Sequence, residues 1–187
     1  LPQPVAAGLE VLAWRNDPEV MRYLPSSQRP LTWEDHLAWY ERYEPYHGVA
    51  IRQDWMIELT ESGHDRGVGV VHYITYTSEI GLIVGEKTLW GQGVGRIALE
   101  KALQEVSKPC YANLRKDIGP VWAVVHPDNA PSIRLFESLN FVAAGEGRDG
   151  QIKYIWQGWK VEPPEPAAAA APPAAAPARR RRPKAGQ

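Results

Sequence analysis

Trp90-Gly91-Gln92-Gly93-Val94-Gly95-Arg96 is the stretch of this 187-residue chain best suited to holding a ligand. Glycine at every second position frees the backbone to turn so that several N–H groups point one way. An amphipathic helix follows at once. Leu99, Ala102, Leu103 and Val106 recur at i, i+3, i+4 and i+7, while Arg96, Glu100, Lys101 and Glu105 face outward. The first N–H groups of a helix lack partners and its dipole end is positive, so Gln92 to Arg96 should bind phosphate or pyrophosphate. A tight strand–helix connection without a ligand is the competing reading of the same glycines. Two phosphate loops fail to fit. The P-loop needs Gly-Lys-Ser/Thr, where this chain has Gly95-Arg96-Ile97. The dinucleotide fingerprint needs a glycine where Arg96 or Ala98 stands, although alanine is a permitted last residue. Cys110, the one cysteine, rules out an intrachain disulfide framework and a cysteine-based zinc site. It follows a proline in a predicted loop, with no base to activate it.

These groups need elements to position them. Glu79 to Val84 is an apolar run containing a glycine, which suits an interior strand with a bulge or a close backbone approach. Asp54 to Thr60 and Gly67 to Thr75 read as two more strands. In the second, Val68, Val70, His72 and Ile74 share one face, and Val71, Tyr73 and Thr75 the other. The short links between the three strands predict an antiparallel meander. Lys108 to Pro120 reads as a long loop. Val121 to Val125 is apolar on both faces and suits a central strand, paired in parallel because a helix crosses to it. Asp128 or Asn129 caps the last helix, with Pro131 in its first turn and Ser132, Leu135, Phe136 and Leu139 on one face. Asn140 can supply a left-handed C-cap. Phe141 to Glu146 and Ile152 to Trp159 form a terminal hairpin around Arg148-Asp149-Gly150.

Upstream, residues 5–15 read as a helix with Val5, Leu9, Leu12 and Ala13 inward. Asp17-Pro18 starts one or two further turns to Leu24. Thr32 caps another helix, with Asp35 in a capping-box variant and Trp33, Leu37, Tyr40 and Tyr43 forming its apolar side. His36 lies beside that side, as a partly buried residue or as an acceptor contact.

The chain is long enough for one domain with an adequate core. Its net charge of −1 sets up no global field for nucleic acid. No run approaches a membrane span and no signal peptide is visible, so a cytoplasmic setting is expected. Leu1 in place of methionine leaves room for a trimmed or incomplete start. Residues 1–160 are expected to be the folded domain. Residues 161–187, rich in alanine and proline, should form a disordered tail. Its Arg179 to Arg182 cluster is a solubilising terminus or, weakly, a site for nucleic acid.

Trp90 to Gly95 resembles the pyrophosphate loop of the GNAT superfamily of N-acetyltransferases, Q/R-x-x-G-x-G/A, except at its first position. Asn129 to Phe141 resembles the family's second motif, Asn-x-x-Ala/Ser-x-x-Leu-Tyr-x-x-x-Gly-Phe. The tryptophan-glycine start resembles the subgroup of ribosomal-protein and amino-sugar acetyltransferases. Trp14 to Pro18 and His36 to Trp39 are similar to the N-terminal part of amino-sugar enzymes. The resemblance covers Val11 to Trp156. It implies an α/β (α+β) GNAT fold: a mixed central sheet of about six strands, an antiparallel meander and then a parallel pair splayed around the cofactor, with helices on both faces. Family members usually start with a strand, and none is visible before residue 5.

The resemblance also implies the site. Acetyl-CoA would lie with its pyrophosphate on Gln92, Gly93, Val94, Gly95 and Arg96. Its pantetheine arm would enter between the strands at 79–84 and 121–125, pairing near Ile83 and Val84. A main-chain N–H near Leu82 would stabilise the oxyanion, an effect of about 3 kcal/mol. Asn129 would position the cofactor or the helix start, and Phe136 would lie against the cofactor. Glu79, eleven residues before Trp90, lies close to the spacing of a catalytic glutamate in histone-type members. A carboxylate at the mouth of an apolar strand can carry a raised pKa and act as base. Phe136 departs from the tyrosine that protonates the leaving thiolate in many relatives, which leaves water, Ser132 or no assistance. His36, Trp39, His72 and Tyr73 are acceptor-binding candidates, and His126 is another polar group near the cleft. No metal is implied.

The expected activity is acetyl transfer to a primary amine of a small molecule or sugar nucleotide, by a monomer or homodimer. A protein N-terminus is the alternative acceptor. A non-catalytic acyl-CoA-binding module is the alternative class.

Overall fold

The structure is a computed structural model that describes residues 4–24, 29–41, 52–111 and 118–159. The tail expected at 161–187 lies outside the described residues, as does Tyr43.

Six strands form one mixed sheet in the order β1-β2-β3-β4-β6-β5. β1 (Arg52–Glu61), β2 (His64–Ile74) and β3 (Glu79–Val84) make the antiparallel meander that their short links require. β4 (Trp122–Val125) lies parallel to β3, and β6 (Ile152–Trp156) and β5 (Phe141–Glu146) close the far side as an antiparallel hairpin. β3 and β4 pair only at Glu79 and Trp122. There the Trp122 main-chain N–H donates to the Ser78 carbonyl at 3.0 Å, and its indole N–H donates to the Thr77 carbonyl at 2.6 Å. Beyond that point the strands part.

α3 (Val94–Val106) and α4 (Ala130–Ser138) cover one face of the sheet. Leu99, Leu103 and Val106 are fully buried, packed with Val71, Tyr73, Ile80, Ala123 and Val125. Each such aliphatic side chain stabilises the fold by about 1.5–3 kcal/mol through area removed from water. α4 starts where the Asn129 side chain accepts from the Ser132 N–H at 3.2 Å. Its Phe136 packs edge-on against Phe141, ring centres 5.0 Å apart. Asn140 adopts φ 67°, the left-handed C-cap its side chain tolerates, and donates to the Gly158 carbonyl at 2.9 Å.

α1 (Pro4–Asn16) packs against α2 (Trp33–Glu41) and β2, and the Trp14 indole fills the space a Cβ on Gly85 would need. Among the described residues no strand precedes α1. The helices exist as expected, but their buried faces differ. In α1, Val11 is buried and Leu9 is exposed; in α2, His36 is buried and Leu37 is exposed. The reason is Gly8, whose missing side chain admits the Trp33 ring. That close approach, rather than the largest apolar residues, sets the rotation of both helices. The capping box of α2 is reciprocal: Thr32 N–H donates to Asp35 and Asp35 N–H donates to the Thr32 hydroxyl. Asp17 caps successive turns that run to Leu24, accepting from Glu19 N–H at 2.9 Å, and they do not join into a regular helix. The predicted loop at 108–120 is in part helical, at residues 109–111 and 118, and Cys110 is exposed.

Candidate active site

Two of the three alternating glycines turn the loop. Gly91 and Gly93 have φ of 76° and 82°, a region open to glycine at little cost. Gly95 differs: it is helical, and a Cβ there would stand 3.3 Å from Leu82 and 3.4 Å from Leu135, so its bareness lets α3 approach β3 and α4. α3 begins with Gly93 as N-cap, and the first helical bond runs from Ile97 N–H to the Gly93 carbonyl at 3.1 Å. The N–H groups of Val94, Gly95 and Arg96 precede that bond, at the positive end of a 13-residue helix. Trp90, which occupies the first loop position, donates its indole N–H to the Val84 carbonyl at 2.7 Å. The loop is thereby tied to the end of β3.

That same bond shows that the Val84 carbonyl points away from β2. Alternation along a strand then turns the main-chain groups of Leu82 to the β4 side, where β4 has diverged. The result is a cleft of about 850 Å³ running from the loop along β3 to the hairpin turn at Arg148. Its wall carries Arg22, Arg96, Arg134 and Arg148 against Glu19 and Glu79, so it favours an anion.

On the sheet face away from α3 and α4 the cleft becomes polar. Glu79 is buried at 5% exposure, and Arg148 crosses to it from the β5–β6 turn. One Arg148 nitrogen donates to Oε2 at 3.1 Å and the other to Oε1. Forked pairing of this kind is what makes a buried carboxylate tolerable. His72 faces Gly81 across the β2–β3 ladder, and its ring reaches within 2.5 Å of where a Gly81 Cβ would stand. Burial pushes the His72 imidazole down to about 3, with the positive charges of Arg52 and Arg148 acting the same way. It is a neutral ring at physiological pH. Gln151 also lines the cleft, and its buried side-chain oxygen has no hydrogen-bond partner among the described residues. Tyr23 closes the outer side, its ring 5.5 Å from that of His126.

The acetyltransferase (GNAT) domain family matches residues 3–142 of the chain. This chain belongs to the GNAT family. An uncharacterised protein of Methanocaldococcus jannaschii is 32% identical over 147 residues, 77% of this chain. The chain spans only 28% of that protein's length. A crystal structure of a domain from the same organism superposes with a TM-score of 0.66 at 31% identity, covering 82% of this chain and 92% of that one. Spermidine N-acetyltransferase from Vibrio cholerae, solved with CoA and spermine, has the same fold, with a TM-score of 0.59 and 15% identity over 82% of this chain and 89% of that one.

The GNAT cleft gathers most of the predicted site. Gly93, Val94, Gly95 and Arg96 line its loop end, Leu82, Ile83 and Val84 its β3 wall, and Asn129, Ser132 and Phe136 its α4 wall. Glu79 and His72 line its far end. Gln92 lies outside the lining, its side-chain amide donating to the Thr88 carbonyl at 2.6 Å. Tyr73 is buried in the core on the opposite sheet face, its hydroxyl donating to Ser78. His36 is fully buried between Trp33 and Trp39 and bonds Arg15 at 3.0 Å; Arg15 and Arg52 lie over the Trp39 ring. Neither His36 nor Trp39 reaches the cleft. Arg148 and Gln151 are the residues the sequence does not single out, because in it they belong to an ordinary polar turn.

The structure fits acetyl-CoA in its own geometry: amide donors stand before the first bond of α3, and an open strand edge leads away from them. Among the described residues no cluster suits a metal, and no helix is long and apolar enough to cross a membrane.

Proposed function

We propose that this GNAT domain transfers the acetyl group of acetyl-CoA to a primary amine of a small molecule or sugar nucleotide by direct attack. The observation that carries the reading is the parting of β3 and β4 directly beside the positive end of α3. Val94, Gly95 and Arg96 would hold the pyrophosphate through main-chain N–H groups. The open edge at Leu82 and Val84 would receive an extended amide-bearing arm as an added strand. Bound acetyl-CoA supplies the activated thioester. Leu82 N–H would donate to the carbonyl oxygen as it gains charge, worth about 3 kcal/mol. Glu79 would accept the proton of the attacking amine through the lone pairs that Arg148 leaves open. Ser132, whose hydroxyl has no partner among the described residues, would donate to the departing sulfur.

Phe136 supports a second reading. It is buried against Phe141 and offers no hydroxyl, so a domain that binds acyl-CoA without turnover is the alternative. Release of free thiol from acetyl-CoA, measured across a panel of small amines, amino sugars and peptide N-termini with mass-spectrometric identification of products, separates the readings. Acetylated small amines support the proposal. Acetylated peptides alone move the acceptor to protein. Tight acetyl-CoA binding without any product selects the binding module.

A further inference from the structure

Gln151 is buried to 4% exposure, and its side-chain oxygen meets no donor among the described residues. A buried carbonyl without a partner is unfavourable, and native structures normally satisfy it. Its place suggests what satisfies it. Gln151 is extended, with φ −77° and ψ 162°, and stands three residues before the core residue Tyr154. Strand alternation therefore puts it on the face away from α3 and α4. Glu79, next to the core residue Ile80, and His72, between the core residues Val71 and Tyr73, take that face by the same rule. All three line the cleft at the end remote from the pyrophosphate loop, with Arg148.

Charge narrows the ligand. Arg148 balances Glu79 within one ion pair, Gln151 is neutral, and the imidazole of His72 carries no charge. Along the whole cleft four arginines stand against two glutamates, and Glu19 is itself held by Lys87 at 2.9 Å. A chain of several ammonium groups would find no spare carboxylates here. A single amine on a polar, uncharged body would find acceptors for its hydrogens.

We infer that Gln151, with the Arg148-bound Glu79, forms the acceptor subsite and selects a monoamine on a hydroxyl- or amide-bearing body, the Gln151 side-chain oxygen accepting one O–H or N–H of that body. This rests on the acetyl-transfer reading and names its acceptor class. The experiment measures calorimetric binding of glucosamine and of spermidine to the CoA-loaded full chain, for wild type and for Gln151→Met, which keeps the volume and removes the polar oxygen. Wild type should bind glucosamine more tightly than spermidine. Gln151→Met should weaken glucosamine about tenfold and leave spermidine and CoA itself unchanged, the size expected for one hydrogen bond. A melting temperature at or above wild type shows that the variant folds, since removing an unsatisfied buried group does not destabilise. Tighter spermidine binding, or equal loss for both amines, overturns the inference. Loss of CoA affinity in Gln151→Met also overturns it, by assigning the oxygen to the pantetheine arm. Failure of the acetyl-transfer reading shows separately, as wild type that binds no CoA or releases no thiol from acetyl-CoA with any amine.

Discussion

Arg148→Met leaves the Glu79 carboxylate buried at the end of the cleft without its partner. The magnitude follows from the two ends of the pair. The Glu79 side chain is 7% exposed, whereas that of Arg148 is 55% exposed. Breaking a fully buried pair costs about 3–5 kcal/mol, and an exposed pair contributes about 0–1. Here the stranded group is the buried one but water reaches the arginine's place, so a loss of about 2 kcal/mol is expected. For a chain of this size that lowers the melting temperature by about 4–8 °C. Glu79→Gln removes the charge and keeps the shape, so it should cost less than Arg148→Met. The double variant should be no worse than Arg148→Met alone, because no bare charge is left. Thermal and urea unfolding of the four proteins measure the cycle. Additive losses, or an Arg148→Met variant as stable as wild type, would refute the description of Glu79 as a buried group held by one arginine.

Three further outcomes follow from single residues. The folded His72 imidazole titrates near 3 against an ordinary value of 6.5, so the unfolded chain binds the extra proton between them. Stability contributed at neutral pH should therefore drain away as pH falls from about 6.5 toward 3, and His72→Gln should flatten that part of the stability–pH curve. Asn140→Ala forces alanine into φ 67° and deletes the bond to Gly158, a loss of about 1–2 kcal/mol in chemical denaturation. Asn140→Gly should lose less than Asn140→Ala. Gly81→Ala places a methyl against the His72 ring and should cost about 1–3 kcal/mol, partly relieved in the His72→Ala background.

The fold was largely legible because its signals are local. Alternating glycines, an i, i+3, i+4, i+7 stripe and three short-linked apolar runs are enough to specify a meander, a turn and a crossover helix. Asn140 announced its own C-cap, and Glu79 to Val84 is the strand the pattern outlines. The rotation of the first two helices was not legible. It depends on Gly8 meeting Trp33, a contact between elements that no periodicity records, and it sends His36 inward rather than to the cleft. Arg148 was hidden for the same reason. It reaches a carboxylate 69 positions away from a turn whose composition announces only a turn. Gln151 shows its meaning only when its burial and its missing partner are both known.

The most direct measurement is amide hydrogen exchange of isotopically labelled protein with and without acetyl-CoA. Bound acetyl-CoA should slow exchange at Val94, Gly95 and Arg96 in the first turn of α3 and at Leu82 and Val84 on the open edge of β3. Unchanged exchange at those five amides under saturating acetyl-CoA would contradict this mode of binding.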